Sequence, residues 1–222
     1  MQREFVYDIR TGRYRYRDTG KFAPQSAILS LTRRNIGLTS KEMETITNLM
    51  MSGRMPLGDW QRTTAKMLKT LHIENLLLGR GGLNSVEDED YLATGRQLKK
   101  EYKYLKQFAQ DIKSGKVSKA QAMERIKLYA RKARYSFWYG RDRSLINNKF
   151  MRRHLGGSNH CAECLAYAAM GYQPRNVLPL PTEACTCRSN CLCTVEWVNR
   201  LPGQDTLLDS LKRFGRTVGM IG

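Results

Sequence analysis

Apolar residues recur three and four positions apart over most of the stretch from Ser26 to Gly140, which predicts a succession of amphipathic helices. Met43, Ile46, Leu49 and Met50 carry the pattern in one of them, with Thr39 or Ser40 able to cap its start and Gly53 placed to end it. A second runs from Pro56 to Leu78, with Trp60, Thr64, Met67, Leu68, Leu71 and Leu78 on one side. Its proline stands in the first turn, where a missing N–H is harmless. Gly79-Arg-Gly-Gly82 breaks the chain. Tyr91, Leu98, Tyr102, Leu105, Ala109 and Ile112 then form a heptad-like stripe, with Gly95 counted as a small seam position. Ser114-Gly115 ends that helix and Ser118 caps the next, whose stripe is Ala122, Ile126, Tyr129, Ala133 and Phe137. So short a link predicts a long antiparallel helical hairpin.

The ends read differently. From Arg13 to Arg17 arginine alternates with tyrosine, which suits an extended strand with Tyr14 and Tyr16 on one face and Arg13, Arg15 and Arg17 on the other. Turn signals at Thr11-Gly12 and Asp18-Thr19-Gly20 bracket it. No partner strand is evident, so the piece is expected to pair outside the chain, by strand addition or along a phosphate backbone. Residues 141–158 are polar and basic and read as a mobile connector. Thr194 to Val198 alternates and reads as a strand that packs Trp197 near the cysteines. Asp205 to Phe214 reads as a short helix. The expected fold is therefore mainly α: an extended arm over 1–25, a helical body over 26–140, the connector, a small cysteine-rich α+β module over 159–200, and a tail over 201–222.

Charge changes this picture. The chain of 222 residues carries 38 Lys+Arg against 20 Asp+Glu, a net +18. Between Thr94 and Arg153 there are eighteen basic and four acidic residues, so +14 of the excess lies there. That exceeds what solubility requires and points to a polyanion partner. The candidate contacts are Arg13, Arg15 and Arg17 in the arm, Lys99, Lys100, Lys103, Arg131 and Arg134 on the helices, and Arg152 and Arg153 in the connector. The hydrophobic fraction of 41% is that of a globular protein. No apolar run is long enough for a membrane helix.

All six cysteines lie in one stretch: Cys161-Ala-Glu-Cys164, then Cys185-Thr-Cys187-Arg-Ser-Asn-Cys191-Leu-Cys193. A CxxC pair presents two thiolates to one ion, and a second cluster about twenty residues on can close a tetrahedral site. Four sulfurs must be chosen from six: Cys161, Cys164, Cys187 and one of Cys191 or Cys193. The spacing favours a structural zinc over disulfides, which need an oxidising compartment, since the chain opens without an apolar signal segment. A catalytic zinc is the third reading, with His160 and Glu163 as its nearest proton-transfer groups. Elsewhere there is no phosphate-binding Gly-rich loop and no Gly-x-Ser-x-Gly elbow. The acidic run Glu87 to Asp90 suits a helix N-terminus. The chain does not read as an enzyme.

Three segments taken together, Tyr16-Arg-Asp-Thr-Gly-Lys-Phe22, Glu101 to Ile112 followed by Gly115 and Ala130-Arg-Lys-Ala133, and the cysteine-rich end, resemble minor head proteins of tailed bacteriophages, the head-morphogenesis proteins of the Mu-like class. Cys161 and Cys164 match the first half of that family's cysteine signature, and Cys187, Cys191 and Cys193 the second. Cys187 stands where many relatives carry His, and Cys185 is extra to the pattern. The chain is short for the family, so a fused catalytic or partner domain is not expected. The resemblance implies a virion component made in the bacterial cytoplasm, present in multiple copies inside the head, at the neck or on the shell. It further implies portal or major capsid protein as partners, and a role in assembly, packaging or ejection of double-stranded DNA. A basic helical body facing DNA without sequence preference fits that reading. The competing class is a zinc-dependent DNA-binding regulator or nuclease-like factor, against which stands the absence of a recognition-helix pattern near the cysteines.

Overall fold

The computed structural model describes residues 4–157 and 159–203. The helix expected over Asp205 to Phe214 lies outside them. The protein is mainly helical, with two small antiparallel sheets and the cysteine cluster near its C-terminal end. Among the described residues no helix is long and apolar enough to cross a membrane.

Helix α1 (Gln25–Met51) is a single element through Thr39 and Ser40, where a new start was expected. Ile28, Leu31, Thr32, Ile36, Met43, Thr47 and Met50 make one buried stripe along it. Two threonines fit there because each hydroxyl donates back along the helix, Thr32 to the Ile28 carbonyl at 3.1 Å and Thr47 to that of Met43 at 2.7 Å. Gly53, at φ 75°, closes the C-terminal turn as its position predicts. Helix α2 (Leu57–Arg80) follows Pro56 and ends at Gly81, at φ 98°.

Helix α3 (Asp88–Lys113) opens with a capping box between Glu87 and Asp90, whose carboxylates meet Arg80 and Arg143. Helix α4 (Lys119–Lys132) starts at Ser118 with the same device, completed by Gln121. These two helices meet through side chains in antiparallel order, with Phe108 stacked on Tyr129 at 6.1 Å and Asp111 paired to Arg125 at 2.9 Å. Their backbones lie closer to other helices, α3 to α2 and α4 to α1. A shared core holds all four, centred on Trp60. The Trp60 ring sits edge-on to Phe108 at 5.4 Å, and its indole N–H donates to Thr47 at 2.9 Å.

The buried stripe of α3 is also shifted from the expected one. Tyr91 and Gly95 face solvent, while Thr94, Glu101 and Phe108 are buried. Glu101 enters the core because His72 of α2 meets it at 3.1 Å, and the other ring nitrogen of His72 meets Ser136 at 2.8 Å. The order Ser–His–Glu is that of a catalytic triad, but all three are sealed from solvent, so here it satisfies buried polar groups.

Helix α5 (Arg134–Ser144) continues α4 after a break at Ala133 and crosses the end of α2 at glycine distance. A β-carbon on Gly79 would lie 2.2 Å from the Phe137 carbonyl oxygen, and one on Gly140 would lie 2.6 Å from that of Leu76. Gly79 is therefore a packing residue inside α2, not the start of a break.

The arm forms its own hairpin. Strand β1 (Phe5–Asp8) pairs antiparallel with β2 (Arg13–Tyr16), with Phe5 opposite Tyr16 and Tyr7 opposite Tyr14. The expectation that β2 pairs outside the chain is thus corrected. The tyrosine face of the hairpin lies on the helical body: the Tyr14 hydroxyl donates to the Leu78 carbonyl, and the Tyr7 ring covers Gly81.

The segment read as a mobile connector is also corrected. It contains the end of α5 and then β3 (Phe150–His154), the central strand of a sheet ordered β4 (Tyr172–Pro174), β3, β5 (Thr194–Val198). Strand β5 has the bounds its alternation predicts. Met151, Arg153, Val195 and Trp197 form the buried face of the sheet. Trp197 packs on Trp138 of α5 at 6.1 Å and donates to Asp142, so it covers the helical body and not the cysteines. Sheet, α5 and arm hairpin share a second core.

Candidate metal centre and basic surface

The cysteines gather where two chain reversals meet. Helix α6 (Ala162–Ala169) starts at Cys161, which places Cys164 one turn on along the same face. The returning loop brings Cys185 and Cys187 to it, makes a 3-10 turn over Arg188–Asn190, and enters β5 through Cys191 and Cys193. The sulfur of Cys187 lies 3.4 Å from that of Cys161, 3.5 Å from that of Cys164 and 3.4 Å from that of Cys185. Cys164 and Cys191 are 3.7 Å apart. All six are free thiols, and four of them are buried. Such spacings are those of sulfurs sharing an ion: a zinc–sulfur bond of about 2.3 Å puts tetrahedral ligands about 3.8 Å apart. The cluster can hold a metal ion. Cys185, extra to the expected set, is inside it.

The local electrostatics prepare thiolates unevenly. Burial would raise the Cys161 thiol, but N–H groups of Cys187 and Cys164 and the Thr186 hydroxyl point at its sulfur and bring it down to about 6. Burial pushes Cys164, Cys185, Cys187 and Cys193 up. The burial of Cys191 is outweighed by N–H groups of Cys193 and Thr182, which bring it down. Without a cation, thiols gathered this closely cannot all ionise. Neither His160 nor Glu163 belongs to the cluster; the Glu163 carboxylate accepts from Thr186 at 2.8 Å.

The end of α4 and the start of α5 fasten the module to the body. Arg131 donates to the Asn190 side chain at 2.7 Å, Lys132 to the Thr182 carbonyl at 2.7 Å, and Arg134 to the Cys191 carbonyl. Arg131 and Arg134, expected to meet a polyanion, are thus engaged by the cysteine loop. The same holds for several others. Arg15 is held by Asp8 at 3.0 Å and lies with Arg13 over the Phe22 ring. Arg17 is exposed, and its backbone N–H donates to Glu4. Arg152 lies over Tyr172. Arg153 is buried and donates to the Pro179 carbonyl, so no phosphate can reach it.

The remaining candidates stand in the open. Lys99, Lys100 and Lys103 are exposed on α3, together with Arg96, Lys106 and Lys113, which the sequence reading did not single out. At about 100° per residue these six fall within about 140° of arc, opposite the buried stripe, along about 25 Å of helix. None of them is among the ion pairs found in the described residues. The signal for the additional three was their helical spacing: Arg96 stands three from Lys99, Lys106 three from Lys103, and Lys113 seven, about two turns, beyond Lys106. Comparison with family models, with curated proteins and with solved structures finds no match for this chain.

Proposed function

We propose that the protein is a structural minor head protein of a tailed bacteriophage, made in the host cytoplasm and carried in the virion, where it bridges virion proteins and packaged double-stranded DNA. The observation that carries the DNA-facing half of this reading is the unpaired basic face of α3. A straight row of flexible cations with no carboxylate partners suits phosphates and carries no base-reading geometry. The sequence resemblance supplies the phage context and the portal or major capsid protein as partners. In this reading the metal is zinc and its role is structural: an all-thiolate cluster tied to α4 and α5, holding a small sheet that has little core of its own.

Binding to two unrelated duplexes, measured over a range of salt, tests the DNA contact. Equal affinities and a steep salt dependence are expected. The triple variant Lys99→Gln, Lys103→Gln, Lys106→Gln should flatten the slope of log K against log salt by about 2 to 3, since each lost phosphate contact removes about 0.9. An unchanged slope would remove α3 from the interface, and a strong preference for one duplex would favour a sequence-reading regulator.

A further inference from the structure

The six cysteine sulfurs fall into two overlapping groups. Cys161, Cys164, Cys185 and Cys187 lie mutually within 4.8 Å, and so do Cys164, Cys191 and Cys193. Cys164 is common to both groups. One tetrahedral ion takes four thiolates and leaves at least two of the six as bystanders. Yet Cys191 and Cys193 are as buried as Cys164, and Cys191 sits 3.7 Å from the Cys164 sulfur, a ligand-to-ligand distance.

We propose that the cluster binds two divalent ions of the zinc type, with Cys164 and Cys185 each bridging both; this rests on the reading of the cluster as a metal site. The first ion takes Cys161, Cys164, Cys185 and Cys187. The second takes Cys164, Cys191 and Cys193 and needs one more thiolate. Cys185 supplies it: it lies in the first group with Cys164, and of the three other sulfurs there it alone is buried as Cys191 and Cys193 are. Six thiolates then give each ion four ligands.

Charge is compatible with this count: six thiolates around two divalent ions leave about two negative charges. Two cations at the junction of α4 and α5 lie beside them, Lys132 donating to the Thr182 carbonyl and Arg134 to that of Cys191.

Elemental analysis of the full chain purified under reducing conditions, with protein quantified by amino-acid analysis, gives the test. About two zinc per chain are expected, and exchange to cadmium-113 should give two resonances in the all-thiolate range. The variant Cys193→Ser, which alters a ligand of the second ion alone, should retain about one zinc. One zinc and one cadmium resonance from the unaltered chain would overturn the two-ion cluster while leaving a mononuclear site standing. No metal, with thiols unreactive until a reductant is added, would overturn both.

Discussion

Cys164→Ser is expected to release the bound metal and unfold the C-terminal module, because this one sulfur lies in both thiol groups. A structural zinc site supplies on the order of 10 kcal/mol of folding free energy, far more than a sheet of three short strands can replace. The loss should spread along a defined route. Strand β5 leaves the cluster directly after Cys193, so its release exposes the central strand β3 and removes Val195 and Trp197 from the second core. Helix α5 and the arm hairpin then lose the surface they pack on. The first core around Trp60 shares none of these residues and should stay folded. Limited proteolysis should therefore trim the variant from its C-terminal end to the region of α5, leaving a fragment that contains α1 to α4, with most of the helical circular dichroism retained. A variant with full metal content and native protease resistance would refute the metal assignment.

Gly79→Ala should lower global stability by about 3 kcal/mol, a large effect for one methyl group. The added carbon would lie 2.2 Å from the Phe137 carbonyl oxygen and 2.8 Å from the Arg141 nitrogen. These are backbone atoms of α5, which cannot rotate away as a side chain can, so the crossing of α2 and α5 must open. Opening it lengthens the buried contacts of Phe137 and Trp138, and with them the seat of the sheet. Gly95→Ala is the internal control. It sits on exposed α3 with nothing within 4 Å of its would-be β-carbon and should stabilise by about 0.5 to 1 kcal/mol through helix propensity. Urea denaturation of the pair should move the midpoints in opposite directions. Two shifts of the same sign and size would mean that the glycine crossing does not hold the helices together.

These two glycines show where the sequence could be read and where it could not. Gly79 read as the start of a break and Gly95 as a seam position, since nothing local separates a glycine that admits another backbone from one that ends a helix or faces solvent. Helix ends at Gly53, Gly115 and Ser118 were legible because capping is decided by neighbouring residues. Strand β5 was legible because alternation is a local signal too. The closer approach of α3 to α2 was not, since a short link restricts direction without choosing the nearest neighbour. Glu101 in the core depends on His72, 29 positions away, and no stripe of apolar residues announces it. Strand β3 was hidden because Arg152, Arg153 and His154 read as polar surface. In the fold Arg153 is a core residue capped by the Pro179 carbonyl.

The candidate site divides along the same line. Spacing alone located the cysteine cluster, but it could not include Cys185, whose place depends on how the loop after Thr182 folds back on α6. Charge counting found the basic region without distinguishing its members. Arg131, Arg134 and Arg153 hold carbonyls or side chains of the protein's own C-terminal module, whereas the α3 cations hold nothing. A net charge is a property of composition, and availability is a property of packing.

The central claim, that α3 faces packaged DNA inside a phage head, is tested most directly by chemical cross-linking in purified DNA-filled particles assembled with this protein, followed by peptide mapping. The account predicts that the chain is present in the particles and that nucleotide adducts concentrate on Lys99, Lys100, Lys103, Lys106 and Lys113. Absence of the chain from the particles, or adducts that avoid α3, would contradict it.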